Sequence, residues 1–218
     1  MFKLLPICIF IFLGINAGAD EGMWLLNAFP TKQVQQKYGF TATPEWLNHV
    51  QLSAARLAGG CSASFVSGNG LVMTNHHCAH SCIQQLSTSS RDYVASGFYA
   101  NRPQDEVKCP DIEVNRLVEI KDVTKQVQGA TKGLEGAAFN EKQKAEMSRL
   151  EKDCTGDSDK LRCDVVSLYH GGKYQLYKYQ RFQDVRLVFA PEFATAFFGG
   201  DPDNFMFPRY DMDISFLR

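Results

Sequence analysis

The sequence lacks a strong excess of charge of either sign, and it lacks a second long apolar segment after its first residues. Its 23 Lys and Arg residues nearly balance 24 Asp and Glu residues, which leaves a formal net charge of −1. This balance argues against a nucleic-acid footprint or a polybasic membrane face. Beyond residue 15 no stretch approaches the ~20 apolar residues of a spanning helix. We therefore expect a protein without nucleic-acid or membrane partners that binds a small or peptide-like molecule.

The first apolar segment is typical of a secretory signal peptide. Lys3 gives it a positive start, residues 4–15 are mostly apolar, and Ala17-Gly18-Ala19 has the small-x-small pattern that signal peptidase accepts. We expect residues 1–19 to be removed and the remaining chain to be exported, to the periplasm or beyond. The alternative is a membrane anchor, which the short length of the apolar run disfavours.

Six cysteines follow residue 19, and an even number in an exported protein is typical of disulfides. Two pairs flank short loops, and the third pair follows by elimination only: Cys154 with Cys163, Cys61 with Cys78, and Cys82 with Cys109.

Hydrophobic periodicity predicts a chain that is mainly β with some helix. Residues 44–57 have apolar positions at helical spacing, with Thr43 placed to cap the helix and Pro44 at its first position. Ser67-Gly68-Asn69-Gly70 joins two short apolar runs and has the composition of a hairpin turn. Residues 133–153 are charged and helix-prone. Further strands are predicted at 117–123, 174–179, 185–189 and 213–217.

The second run of the hairpin leads directly into His76-His77-Cys78, which is a candidate catalytic segment. A general-base imidazole must be held in one orientation, and a disulfide beside His77 would help to do this. Its carboxylate partner should precede an apolar strand, as Asp213 does. Asp211 is the competitor, because the strand period of two places it on the same face. Histidine first and aspartate far downstream is the chymotrypsin order, in which the serine comes last.

The same segment is also crowded with potential metal ligands. Zinc sites built on cysteine usually have paired Cys-x-x-Cys spacing, which is not found here, and disulfide formation competes for these sulfurs. We therefore expect neither a metal nor a cofactor, and we expect His76 to be structural.

These motifs resemble the N-terminal region of the bacterial dipeptidyl peptidases of peptidase family S46, and the resemblance covers nearly all of residues 20–218. Two blocks together are specific: the one from Gly59 to Cys78, and the one from Phe198 through Gly199-Gly200-Asp201 to Arg209. Residues 20–24 and 184–187 also match.

The resemblance implies a chymotrypsin-like antiparallel double β-barrel. Residues 20–218 would supply the first barrel and part of the remainder, without the helical insertion and the part that bears the serine. His77 would be the general base and Asp213 its orienting acid. Asn204 and Phe205 would hold the free α-amine of a peptide substrate. Family members usually have tryptophan at the position of Phe205 and again at that of Phe207, so any role of the indole N–H is lost here.

The nucleophile that the resemblance implies lies in a Gly-Asn-Ser-Gly-like turn, and no such turn occurs in the sequence. Ser67 lies in the only glycine-flanked turn, and we interpret it as a hairpin residue. We expect a serine-type dipeptidyl peptidase, a homodimer at full length, of which these residues are an inactive fragment. The alternative is a truncated, catalytically inactive remnant that binds peptides. A stop codon after Arg218 would favour the remnant, and continuation into a glycine-flanked serine would favour the enzyme.

Overall fold

The computed structural model describes residues 22–201 and 206–218, so the signal-peptide prediction lies outside the described residues. The chain divides into two compact units, Met1–Thr41 and Ala42–Arg218. The described part of the first unit contains helix α1 (Thr31–Tyr38). This helix ends at Gly39, whose left-handed backbone (φ 68°) lets its N–H donate to the carbonyl of Gln35.

The second unit is built on one antiparallel sheet of ten strands. The strands are β1 Ala54–Leu57, β2 Ser62–Phe65, β3 Val72–Thr74, β4 Phe98–Tyr99, β5 Val107–Lys108, β6 Val114–Asp122, β7 Leu161–Leu168, β8 Lys173–Phe182, β9 Arg186–Ala190 and β10 Ser215–Leu217. Their order is β4-β9-β10-β3-β2-β1-β6-β8-β7, with β5 also paired to β9. The predicted class, mainly β with some helix, is confirmed. Among the described residues the sheet does not close on itself, so the double barrel stays a prediction.

Six helices accompany this sheet in the described part of the second unit: α2 Pro44–Ser53, α3 His76–Leu86, α4 Tyr93–Ser96, α5 Thr124–Ala130, α6 Gly136–Thr155 and α7 Phe193–Ala196. The predicted cap of α2 is present, since the Thr43 hydroxyl accepts the N–H of Trp46 at 3.2 Å. The predicted extent to residue 57 is wrong. Residues 54–57 instead form β1, because they hydrogen-bond to β2 on one side and to β6 on the other.

The hairpin of β2 and β3 is formed as its turn residues predict, with Phe65 opposite Val72. The Ser67 hydroxyl accepts the N–H groups of Asn69 and Leu71, and Gly70 has a φ of 79°. The Ser67 side chain therefore stabilises the turn.

Two apolar clusters lie on this sheet. The larger one contains Leu57, Val72, Ile83, Leu187 and Leu217, all nearly inaccessible to solvent. The smaller one lies under α6 and includes Val127, Val165 and Leu176. No helix in the described ranges combines the length and apolar character needed to cross a bilayer.

The structure contains the three disulfides that the spacing and elimination predict: Cys61–Cys78, Cys82–Cys109 and Cys154–Cys163. Disulfides are typical of proteins that mature in oxidising compartments.

Candidate active site

The histidine pair opens helix α3 directly after strand β3. Consecutive residues in a helix differ by about 100° in direction, so neighbouring side chains cannot share one environment. His76 accordingly turns into the interior and is 1% exposed, whereas the side chain of His77 is 61% exposed. Only His77 can therefore reach a molecule that approaches from solvent.

The exposed imidazole of His77 is bonded to Asp213. The distance from His77 Nδ1 to Asp213 Oδ2 is 2.7 Å, and the His77 backbone N–H donates to Asp213 Oδ1 at 3.0 Å. The Asp213 side chain is only 6% exposed. The carboxylate thus binds the ring of His77 and also the backbone N–H of His77, which has no partner within the helix. At this end of α3 the helix dipole favours negative charge.

Asp213 rather than Asp211 has this position because the chain at this point is not yet a strand. Strand β10 begins only at Ser215, and the N–H of Ile214 bonds back to the carbonyl of Met212 at 2.8 Å. The period of two that made Asp211 a competitor therefore does not apply. Pairing of Ser215 with Thr74 then brings Asp213 next to the end of β3 and the start of α3.

Asn75 is a third member of this group that the sequence analysis did not single out. It occupies the N-cap position of α3, but its side chain makes no capping bond. Its amide nitrogen donates instead to the Asp213 carbonyl at 3.2 Å and to Asp213 Oδ2 at 3.0 Å. The only sequence signal was an amide residue directly before the histidine pair, which by itself predicts a cap.

The environment of Asp213 keeps it ionised. Burial acts to raise the pKa of this carboxyl, but bonds from the His77 backbone and ring, the His77 charge and the Asn75 amide together hold the pKa below its usual value. An ionised carboxylate only accepts hydrogen bonds, so His77 Nδ1 must carry the proton of the neutral ring. The lone pair then resides on Nε2, the atom that can accept a proton from a nucleophile.

The Cys61–Cys78 disulfide fixes the first turn of α3 to strand β2 next to His77. Within the described ranges, Cys61, His77 and Cys78 are the one group whose ligand atoms lie close enough together to hold a metal ion. Both sulfurs are joined to each other, so neither is a thiolate that could serve as a zinc ligand.

A cleft of about 500 Å³ opens beside the His77–Asp213 pair. Its far wall is formed by α7 and the residues after it, and the full lining is Asn75, His76, His77, Phe193, Ala196, Phe197, Asp201, Arg209 and Asp213. The wall thus combines aromatic faces with one carboxylate and one guanidinium. Asn204 and Phe205, the predicted amine-binding residues, lie outside the described residues.

His76 supports this cleft from inside. Its ring lies 5.7 Å from that of His80 and 6.2 Å from that of Phe193, measured between centroids. Burial, and then the neighbouring His80, lower the pKa of His76 below its usual value. The interpretation of His76 as a structural residue fits this position.

Residues 19–218 match the family model described as Peptidase S46. The chain belongs to peptidase family S46. The family named from the sequence motifs is therefore confirmed.

Relatives from this family include dipeptidyl peptidases of two Porphyromonas species. Dipeptidyl-peptidase 7 of Porphyromonas endodontalis is 37% identical over 99% of this chain and 27% of its own length. The Asp/Glu-specific dipeptidyl-peptidase of Porphyromonas gingivalis is 34% identical over 99% of this chain and 32% of its own length. The chain thus spans less than a third of either S46 relative.

Solved structures of the family share the fold. The crystal structure of Porphyromonas endodontalis DPP11 in complex with the dipeptide Arg-Glu superimposes with a TM-score of 0.75 and 27% sequence identity. The match covers 92% of this chain and 30% of that protein.

Proposed function

We propose that the polypeptide carrying this chain is a serine-type dipeptidyl peptidase that releases dipeptides from the free N-termini of peptides. One observation carries this proposal: the exposed imidazole of His77 is held at 2.7 Å by the buried carboxylate of Asp213 at the edge of a cleft. This is the base-and-orienter half of a nucleophilic triad.

In this proposal His77 takes the proton of an attacking serine hydroxyl through Nε2. The imidazolium that forms is stabilised by Asp213, which stays ionised because of its hydrogen bonds and keeps the ring in one tautomer. His77 then gives the proton to the leaving amine as the amide bond breaks, and the same ring activates a water that hydrolyses the acyl-serine and frees the dipeptide. The serine and the donors that stabilise the tetrahedral oxyanion would come from residues outside these 218, since the sequence contains no Gly-Asn-Ser-Gly-like turn.

Release of dipeptides requires that the site measure two residues from the peptide amine. Asn204 and Phe205 are the residues proposed to hold this amine, by the carbonyl oxygen of the amide and the aromatic face. Asp201 precedes them and lines the cleft, so its carboxylate favours an ammonium group there. The names of the relatives, which are dipeptidyl peptidases, support the same reaction.

Three further properties belong to the proposal. The protein is exported after cleavage behind Ala19, in keeping with its three disulfides. It acts as a homodimer at full length. Its catalytic domain is a chymotrypsin-like double barrel, to which residues 20–218 contribute the N-terminal part.

The test uses the full polypeptide that carries this chain, with a dipeptidyl-aminomethylcoumarin substrate and its N-acetylated counterpart. Activity should require the free amine. His77→Ala should lower kcat about 10⁴-fold or more, and Asp213→Asn about 10⁴-fold, because the ring loses its orientation and proton-accepting tautomer. His49→Ala is the matched control, since His49 is an exposed residue of α2, away from the cleft, and should leave kcat unchanged.

Normal dipeptide release by His77→Ala would overturn the proposed role of His77. Equal cleavage of the N-acetylated substrate would overturn the exopeptidase assignment. Tight peptide binding without any release, by the wild-type polypeptide, would instead support the inactive remnant.

A further inference from the structure

His77 lines two depressions of the surface, the cleft that contains Asp201 and a second, smaller one. The second has a volume of about 250 Å³ and lies on the side of the Cys61–Cys78 disulfide. Its lining comprises Leu57, Ala58, Gly59, Cys61, His77, Cys78, Ser81, Asp111, Ile112 and Glu113. We call it the disulfide-side pocket. Because His77 lines both depressions, a chain bound across the imidazole enters each of them.

The walls of the disulfide-side pocket are held rigidly by the fold. The turn between β1 and β2 is closed by the bond from the Leu57 N–H to the Cys61 carbonyl at 2.8 Å. The Ala58 N–H donates to the Glu113 carbonyl at 3.0 Å, which joins this turn to the segment before β6. The disulfide from Cys109 to α3 fixes the start of that segment. The pocket is therefore formed before any ligand binds.

The charge in this pocket is carried by Asp111. Its side chain is exposed, and its Oδ2 accepts a hydrogen bond from the neutral amide of Gln85 at 2.7 Å. In the described part of the chain, no cationic side chain lies within ion-pair distance of it. Glu113 differs, because it is bonded to Arg181. Asp111 thus offers an uncompensated negative charge beside the base.

Resting on the proposed function, we infer that the disulfide-side pocket binds the leaving part of the peptide and that Asp111 favours Lys or Arg at the first residues after the cut. The amine end of the substrate lies toward the cleft with Asp201, so the chain beyond the cut must leave on the other side of His77. The protonated His77 also has to reach the leaving amine, and His77 is part of the lining of this pocket.

The experiment compares peptides that share their first two residues and carry Lys, Gln or Glu as the third. A dipeptidyl-aminomethylcoumarin with the same two residues has no amino acid after the cut and serves as the reference. In the full polypeptide, kcat/KM should be about fivefold higher for Lys than for Glu, the ratio that one exposed ion pair gives. Asp111→Asn should bring the two values together, and Asp111→Lys should reverse their order. Because the coumarin leaving group is uncharged, its cleavage should change much less in the Asp111 variants than the Lys-to-Glu ratio does.

The control is Asp157→Asn, which removes one exposed negative charge far along the chain, in the turn after α6. Asp157→Asn should keep the wild-type ratio of kcat/KM for the Lys and Glu peptides. A general effect of net charge would lower this ratio in Asp157→Asn as well as in Asp111→Asn. An unchanged Lys-to-Glu ratio in both Asp111 variants, with normal coumarin cleavage, would overturn this inference and leave the proposed function intact. Absence of dipeptide release from every substrate would overturn both.

Discussion

The side-chain amide of Asn75 donates to both the carbonyl and a carboxylate oxygen of Asp213, at 3.2 and 3.0 Å. It thereby holds Asp213 at two points, while Asp213 holds His77 by one bond to its ring and one to its backbone N–H. The orientation of the His77 ring thus depends on Asp213, and the orientation of Asp213 depends in turn on Asn75. We regard Asn75 as a positioning residue, because its side-chain amide donates to Asp213 and is linked to the imidazole through that residue.

Asn75→Ala should lower kcat about tenfold with little change in KM, because a hydrogen bond to a charged group is removed and Asp213 is oriented less well. Steady-state kinetics at pH 7 measure kcat and KM separately. Asn75→Ser, which keeps a hydroxyl donor, should restore part of kcat. A raised KM with an unchanged kcat would contradict the positioning role.

The disulfide beside His77 should matter for both stability and catalysis. Replacing Cys61 and Cys78 together by alanine opens a loop with a separation of 17 residues, which should lower the free energy of unfolding by about 3 kcal/mol. Because the start of α3 is then less constrained, kcat should fall as well. Denaturant titration and steady-state kinetics measure the two quantities.

The matched control is the double replacement of Cys154 and Cys163, which have a separation of 9 residues and join α6 to β7. Its cost in stability should be similar, about 3 kcal/mol. Its kcat should equal that of the wild type. Equal losses of kcat in both double variants would show that the first disulfide acts only through general stability.

Much of this site could be predicted because its signals are local. The turn residues around Gly70 predict the hairpin, and the adjacent Cys78 draws attention to His77. The contrast between buried His76 and exposed His77 follows from the angular period of α3, a helix that the sequence analysis did not predict. Asp213 could be proposed from the apolar run that follows it.

The remaining features depend on contacts between distant parts of the chain. Residues 54–57 continue a helical pattern, yet they pair with Ser64 on one side and with Arg116 on the other. The role of Asn75 depends on an aspartate 138 residues away. The proximity of Asp111 to the imidazole is equally non-local. No periodicity within one segment contains such information.

Burial of His76 should make the fold sensitive to mild acid. In the folded protein, burial lowers the pKa of His76 below its ordinary value of 6.5. As the pH falls through 6.5, the unfolded chain therefore binds a proton at this residue before the folded protein does. The stabilisation is therefore complete above pH 6.5 and is lost as the pH falls toward the lowered folded value. The free energy of unfolding should decrease through this range, with a slope below about 1.4 kcal/mol per pH unit for one proton.

Denaturant titrations from pH 7.5 to 5 measure this slope. His76→Gln should flatten it, because the group that titrates is removed. His49→Gln should keep the wild-type slope, since His49 is exposed on α2. A slope unchanged by His76→Gln would assign the acid sensitivity to another group.

Gly97 should tolerate no side chain, and its replacement should disturb the wall of the cleft. It has a φ of 71°, and a Cβ there would lie 2.9 Å from the Ala190 carbonyl and 3.0 Å from the Glu192 nitrogen. These atoms belong to the backbone that leads into α7, so they cannot move as a side chain would. Gly97→Ala should lower the free energy of unfolding by about 3 kcal/mol, from backbone strain and overpacking together.

Gly133→Ala measures the cost of a side chain at positive φ without a close contact. Gly133 has a similar φ of 75°, but nothing lies within 4 Å of the position of its Cβ. Its replacement should therefore cost only the backbone strain, about 1 kcal/mol. Urea titration of both variants measures the difference. Equal losses in the free energy of unfolding would show that the backbone near Gly97 moves away from the added Cβ at no cost. In that case this contact does not hold α7 in place. A larger cost for Gly97→Ala, accompanied by a raised KM, would show that the same contact sets the position of the aromatic wall.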